Sequence, residues 1–209
     1  MESSILIESS KTAGKCQRNW LDEAVDETDL DTIIDSCMNM PTKQNVPMYE
    51  LFVVRDKNTI NELYDNSYVP ELESEDPERW RNGQMLAPAM LLWFSSSFVK
   101  HPPEGELYDT STTHIDSVKL NAGICMGAAA LSATVLGYNV GFNCCVKEDT
   151  LQRIAKTKNA DIGPFVCALG VGKPDPKLIR NVVPKNRKLK SSLKVSTEEH
   201  RKEKIVHYI

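Results

Sequence analysis

The run from Leu120 to Leu136 narrows the fold more than any other stretch of the chain. It is apolar, rich in Ala and Gly rather than Leu and Val, and it carries Asn121, Ser132 and Thr134. A membrane-spanning helix needs roughly 20 mostly apolar residues. The small and polar residues here suit a buried central helix instead, predicted over Ile115 to Gly137. Gly123 and Gly127 stand four apart on it, with Ala128, Ala130 and Ala133 nearby. Small residues let a second backbone approach closely, either inside the chain or from another subunit.

Shorter apolar runs supply the strands: Leu51–Val54, Ala89–Phe94 and Pro164–Leu169, with Val140–Phe142 short and extended. Helices are predicted between and around them, over residues 3–13, from Thr28 to Pro41, from Asn58, and over Glu148–Ala155. In the second of these, Leu30, Ile33, Ile34, Cys37 and Met38 fall on one helical stripe. Thr28 is expected to cap it, and Pro41 to end it. Strands separated by helices of unequal length suit an α+β layered domain better than a regular doubly wound sheet. No Gly-rich turn links a strand to a helix, so the dinucleotide-binding fingerprint is missing. At 209 residues the whole chain, 1–209, is read as one domain.

A net charge of −4 argues against a dedicated nucleic-acid binder. The six cysteines show no C-x-x-C or zinc spacing, and the four histidines are scattered, so no metal site is assigned. The N-terminus lacks the basic start and long apolar core of a signal peptide. A reduced, cytoplasmic protein with no membrane span is expected.

Two basic clusters lie near the ends: Lys15-Cys16-Gln17-Arg18-Asn19-Trp20 and Pro184-Lys185-Asn186-Arg187. In extended backbone Lys185 and Arg187 share a face, which suits a phosphate, since Arg offers a fork of donors and Lys a point charge. Taken alone, the basic run from Lys173 to Lys194 reads as a solvated tail. Between the clusters come Pro41-Thr42-Lys43-Gln44-Asn45 before a strand, Asn82-Gly83-Gln84-Met85-Leu86-Ala87-Pro88 before another, and a long helix ending in Leu136-Gly137.

That ordered set, spanning most of the chain, resembles the FMN-dependent nitroreductase family. The resemblance implies a mainly antiparallel central sheet flanked by helices, and a homodimer in which a C-terminal arm of about 185–209 is exchanged. It implies that Lys15, Arg18, Lys185 and Arg187 hold the FMN phosphate with Cys16 near it. Pro41, Thr42 and Asn45 would approach the ring from the second subunit. Asn82 and Gln84 would bond the ring edge, and backbone donors around Cys144 and Cys145 would sit near flavin N5 and O4. The implied activity is hydride transfer from NAD(P)H through flavin N5 to a small conjugated acceptor such as a nitroaromatic or quinone, in ping-pong turnover and with no catalytic side chain. Alternatives are an FMN-binding protein without nicotinamide turnover, or a specialised relative resembling reductive dehalogenases. The chain departs from the family pattern in Cys16 for Ser, Thr42 for Ser, and Gly14 before Lys15. The vicinal pair Cys144-Cys145 reads as plain thiols, since nothing near it in sequence lowers a thiol pKa.

Overall fold

The second strand explains the architecture. Every residue of Ala89–Ser95 is buried, on both faces. Such a strand requires a layer on each side of its sheet, because each buried Leu, Phe or Met contributes about 1.5–3 kcal/mol only when covered. A computed structural model describes residues 3–68, 81–96 and 115–176, all within the unit Met1–Pro176. Its elements, in chain order, are α1 (Ser3–Ala13), α2 (Glu27–Met38), β1 (Tyr49–Val54), α3 (Lys57–Asp65), β2 (Ala89–Ser95), α4 (Ile115–Val135), β3 (Asn139–Asn143), α5 (Glu148–Lys156) and β4 (Phe165–Gly172). Short 3-10 turns cover Lys43–Asn45 and Gly83–Leu86.

The four strands described form one sheet in the order β1-β2-β4-β3, every neighbouring pair antiparallel. Alternation along β2 sends Ala89, Leu91 and Trp93 to one face and Met90, Leu92 and Phe94 to the other. The first face packs with Leu30, Ile33 and Cys37 of α2 and Ala122, Cys125, Ala129 and Ala133 of α4. The second packs with Ile60 and Leu63 of α3, Leu151 and Ala155 of α5, and Met85 of the second 3-10 turn. The expected α+β layering, with a mainly antiparallel sheet between helices, is therefore what the chain adopts.

Local differences have local reasons. Asp26, not Thr28, caps α2: its carboxylate accepts from both Thr28 N and Asp29 N, at 2.9 and 3.2 Å. Of the expected stripe on α2, Leu30, Ile33 and Cys37 are buried, Ile34 is half-buried and Met38 is exposed. β4 runs three residues past Leu169, because Gly170, Val171 and Gly172 keep pairing with β2 and β3. Residues 69–80, 97–114 and 177–209, the last including the arm expected at about 185–209, lie outside the described residues.

α4 is the one described helix long and apolar enough to cross a membrane. It packs instead against α1, α2 and the sheet along a buried row from Val118 to Ala133. Its outer face shows Leu120, Ile124 and Val135 to solvent. A side-chain carbon added at Gly123 or Gly127 meets nothing within 4 Å. Of the two close contacts expected there, within the chain or between subunits, the described residues make no internal one.

Candidate functional site

The Lys15–Trp20 segment leaves α1 through Cys16, whose φ of 52° is a left-handed conformation uncommon for a residue with a side chain. It then runs beside β3. Gln17 N donates to Val140 O at 2.6 Å, and Asn139 Nδ2 donates to Gln17 Oε1 at 3.2 Å. The segment continues beside the end of β4, where Leu21 N donates to Lys173 O and Asp175 N to Asn19 O. Trp20 Nε1 donates to Gly83 O at 2.9 Å, which ties the segment to the turn at 83–86.

Two glycines let these pieces settle on the sheet. Gly141 and Gly170 are partners across β3 and β4. A Cβ on Gly141 would stand 2.5 Å from Gln17 O and 3.1 Å from the Trp20 ring. A Cβ on Gly170 would stand 2.7 Å from Ala87 Cβ and 2.8 Å from Gln84 O. Both distances lie well inside van der Waals contact, so only Gly fits.

Three of the sequence clusters thus meet at one place. Cys16 Sγ lies 3.5 Å from Phe142 O, and Gln84 Nε2 contacts the same sulfur. Lys15 is exposed and Arg18 half-buried beside them. Asn82 and Gln84 are buried. Asn82 caps its turn, accepting from Gln84 N at 3.1 Å, while its own N–H donates to Ser67 Oγ at 2.7 Å. Beyond Phe142 the chain turns through Asn143, Cys144 and Cys145. Cys145 N donates to Asn143 Oδ1 at 2.5 Å, and Tyr68 N donates to Cys145 O at 3.0 Å. A cleft of about 580 Å³ opens against this turn, with Cys144, Val146, Tyr68 and Phe165 among its walls. That volume is in the range of small-ligand sites.

The Cys145 N–H is spent on Asn143, so it is not a free donor in this arrangement. Cys144 is exposed as a residue, but its sulfur turns in toward Val166 O at 3.7 Å, and desolvation there, with the neighbouring Cys145 thiol, pushes the thiol up to about 11. It stays protonated near neutral pH, in keeping with the plain-thiol reading.

The turn of Pro41, Thr42 and Asn45 lies elsewhere, on the first half of α4. Lys43 N donates to Asn121 Oδ1 at 3.0 Å, Lys43 Nζ to Ser117 Oγ at 3.0 Å, and Asn121 Nδ2 to Val46 O at 3.3 Å. Asn45 takes a φ of 57° at the end of this turn. Lys185 and Arg187 lie outside the described residues. Among the described residues no group of His, Cys, Asp and Glu is placed to hold a metal. The sequence did not single out Gln17, Gly141 or Asn143. The one available signal was a glycine inside a short strand, which marks a close backbone approach.

No family model matches the sequence, and no curated protein matches it. Solved structures do match the fold. A nitroreductase family protein from Clostridium novyi NT superposes with a TM-score of 0.61 at 18% identity, over 84% of this chain and 87% of that one. An FMN-dependent nitroreductase from Clostridium difficile R20291 gives 0.61 at 15% identity, over 93% and 94%. A putative nitroreductase in complex with FMN from Desulfovibrio desulfuricans gives 0.60 at 17%, over 88% and 94%. The chain has the fold of the nitroreductase family proteins.

Proposed function

We propose that this protein is an FMN-dependent oxidoreductase that takes hydride from NAD(P)H and passes it, in ping-pong fashion, to an electron-poor acceptor such as a nitroaromatic or a quinone. The observation that carries this reading is the meeting of the Lys15–Trp20 segment, the turn at 82–86 and the end of β3, in a fold shared with structures that include an FMN complex.

The residues present fit that cofactor. Lys15 and Arg18 supply positive charge for a phosphate, with Lys185 and Arg187 assigned to it from the far end of the chain. Cys16 stands next to them, and its thiol is a weaker partner than a hydroxyl. The turn at 143–146 carries backbone donors beside an open cleft, and the Asn143 amide has an unsatisfied N–H end. Bound FMN supplies the hydride-accepting and hydride-donating centre, while the protein binds, orients and tunes it. Asn82 and Gln84 are the side chains assigned to the ring edge, with Cys144 and Cys145 assigned through their backbone; since Cys145 N–H is taken by Asn143, the Cys144 side of the turn is left to donate. No side chain acts as acid or base in this scheme.

We further infer a homodimer. Leu120, Ile124 and Val135 with the open Gly123 and Gly127 give α4 an apolar outer face, and α1, which packs on α4, exposes Ile5, Leu6 and Ile7 as well. A contiguous exposed apolar face marks an interaction surface. The turn that carries Pro41, Thr42 and Asn45 is bonded to this same helix through Lys43 and Val46, which fits their delivery to a partner's ring. All six cysteines are free, which fits a reducing, cytoplasmic compartment. Stopped-flow mixing tests the activity: FMN-loaded protein bleaches with NAD(P)H and regains its colour when an acceptor follows. Protein that holds FMN without bleaching is a flavin binder rather than a reductase.

A further inference from the structure

Asn143 closes β3, where it pairs with Ala168, and it is 2% exposed. Its Oδ1 accepts the Cys145 N–H. That bond orients the amide, because only the oxygen end can accept from a backbone N–H. The other end is therefore Nδ2, and among the described residues it has no hydrogen-bond partner. A buried donor left unpaired is costly and uncommon, and it calls for an acceptor that the described residues do not supply.

Its position points to what completes it. Two residues earlier on the same face of β3 is Gly141, against which Gln17, Trp20 and Gln84 pack. One residue later is Cys144, which lines the cleft. Asn143 thus lies on the strand that carries those contacts, next in sequence to the cleft-lining Cys144. We propose that Asn143 is a cofactor-binding residue: Oδ1 holds the turn at 144–146 in shape, and Nδ2 donates to a carbonyl acceptor of the bound flavin ring. This rests on the FMN reading above.

Asn143→Asp separates the two halves of the amide. The carboxylate keeps an oxygen for Cys145 N–H and puts an acceptor where the donor stood. At neutral pH the variant is expected to keep the wild-type circular dichroism, to bind FMN about tenfold more weakly or worse, and to hold the flavin at a more negative midpoint potential. As pH falls through the carboxyl's pKa, the protonated acid donates again and FMN affinity recovers, whereas the wild type shows no such recovery. A folded variant that binds FMN like the wild type at every pH overturns the proposal and leaves the FMN reading standing. Wild-type protein that binds no FMN overturns both. Should the variant not fold, the assigned Asn143 side-chain NH2 signals of 15N-labelled wild type decide: they shift and are protected from exchange on FMN addition, and unchanged signals overturn the proposal.

Discussion

Gly141→Ala loses about 1–3 kcal/mol of stability and, with it, most of the protein's FMN affinity. The added methyl would lie 2.5 Å from Gln17 O, a backbone atom that cannot swing aside as a side-chain tip can. Either β3 pulls away from β4 or the Lys15–Trp20 segment lifts off the sheet. The second breaks the Gln17–Val140 hydrogen bond and moves Cys16 and Arg18, which are placed by that bond. Urea melts measure the stability loss, and fluorescence titration with FMN measures the affinity. A variant with wild-type stability and wild-type FMN binding contradicts the close approach on which the site is built.

The second large effect is alkaline. The Cys37 and Cys167 thiols are each pushed up to about 12 from an ordinary value of 9.0, first by burial and then by neighbouring thiols. Tyr49 is raised as well, again by burial first and then by Cys125, whose sulfur is 2.8 Å from its hydroxyl. The folded state holds these protons until about pH 12, while the unfolded chain releases its thiol protons from about pH 9. Between those limits the unfolded state binds fewer protons, so stability falls as pH rises. Each thiol removes about 1.4 kcal/mol per pH unit across that window. Two thiols acting together remove an appreciable part of the 5–15 kcal/mol typical of a domain. Circular dichroism should show cooperative unfolding between about pH 9 and pH 12, with full stability from these groups below pH 9. Replacing Cys167 with Ala should flatten the slope in that window at the cost of a small cavity. A folded, pH-independent signal up to pH 12 contradicts the protonated buried cluster.

Elements were legible in the sequence where one local pattern decided them. Ala89–Phe94 could only be a strand covered on both faces, and Leu30, Ile33 and Cys37 marked the inner side of α2. Capping was less legible, because Asp26 and Thr28 are both good caps and only the fold shows that Asp26 reaches two free N–H groups. β4 was read short because Gly170 and Gly172 look like the start of a tail. Their reason is tertiary: the turn at 83–86, Pro88 and Trp20 need the space that side chains would fill. The same holds for the candidate site. Its basic and polar clusters are visible one by one, but Cys16 and Phe142 are 126 residues apart, and no local rule joins them. Nothing in the sequence singles out Asn143, and its half-satisfied amide exists only once Cys145 folds back over it.

The central claim is that this chain binds FMN. Its most direct test is equilibrium titration of the purified, flavin-stripped protein with FMN, followed by the quenching of flavin fluorescence. The account predicts saturable binding with a dissociation constant in or below the micromolar range, and yellow protein that releases FMN on denaturation. Colourless protein whose titration with excess FMN leaves the fluorescence unchanged contradicts it.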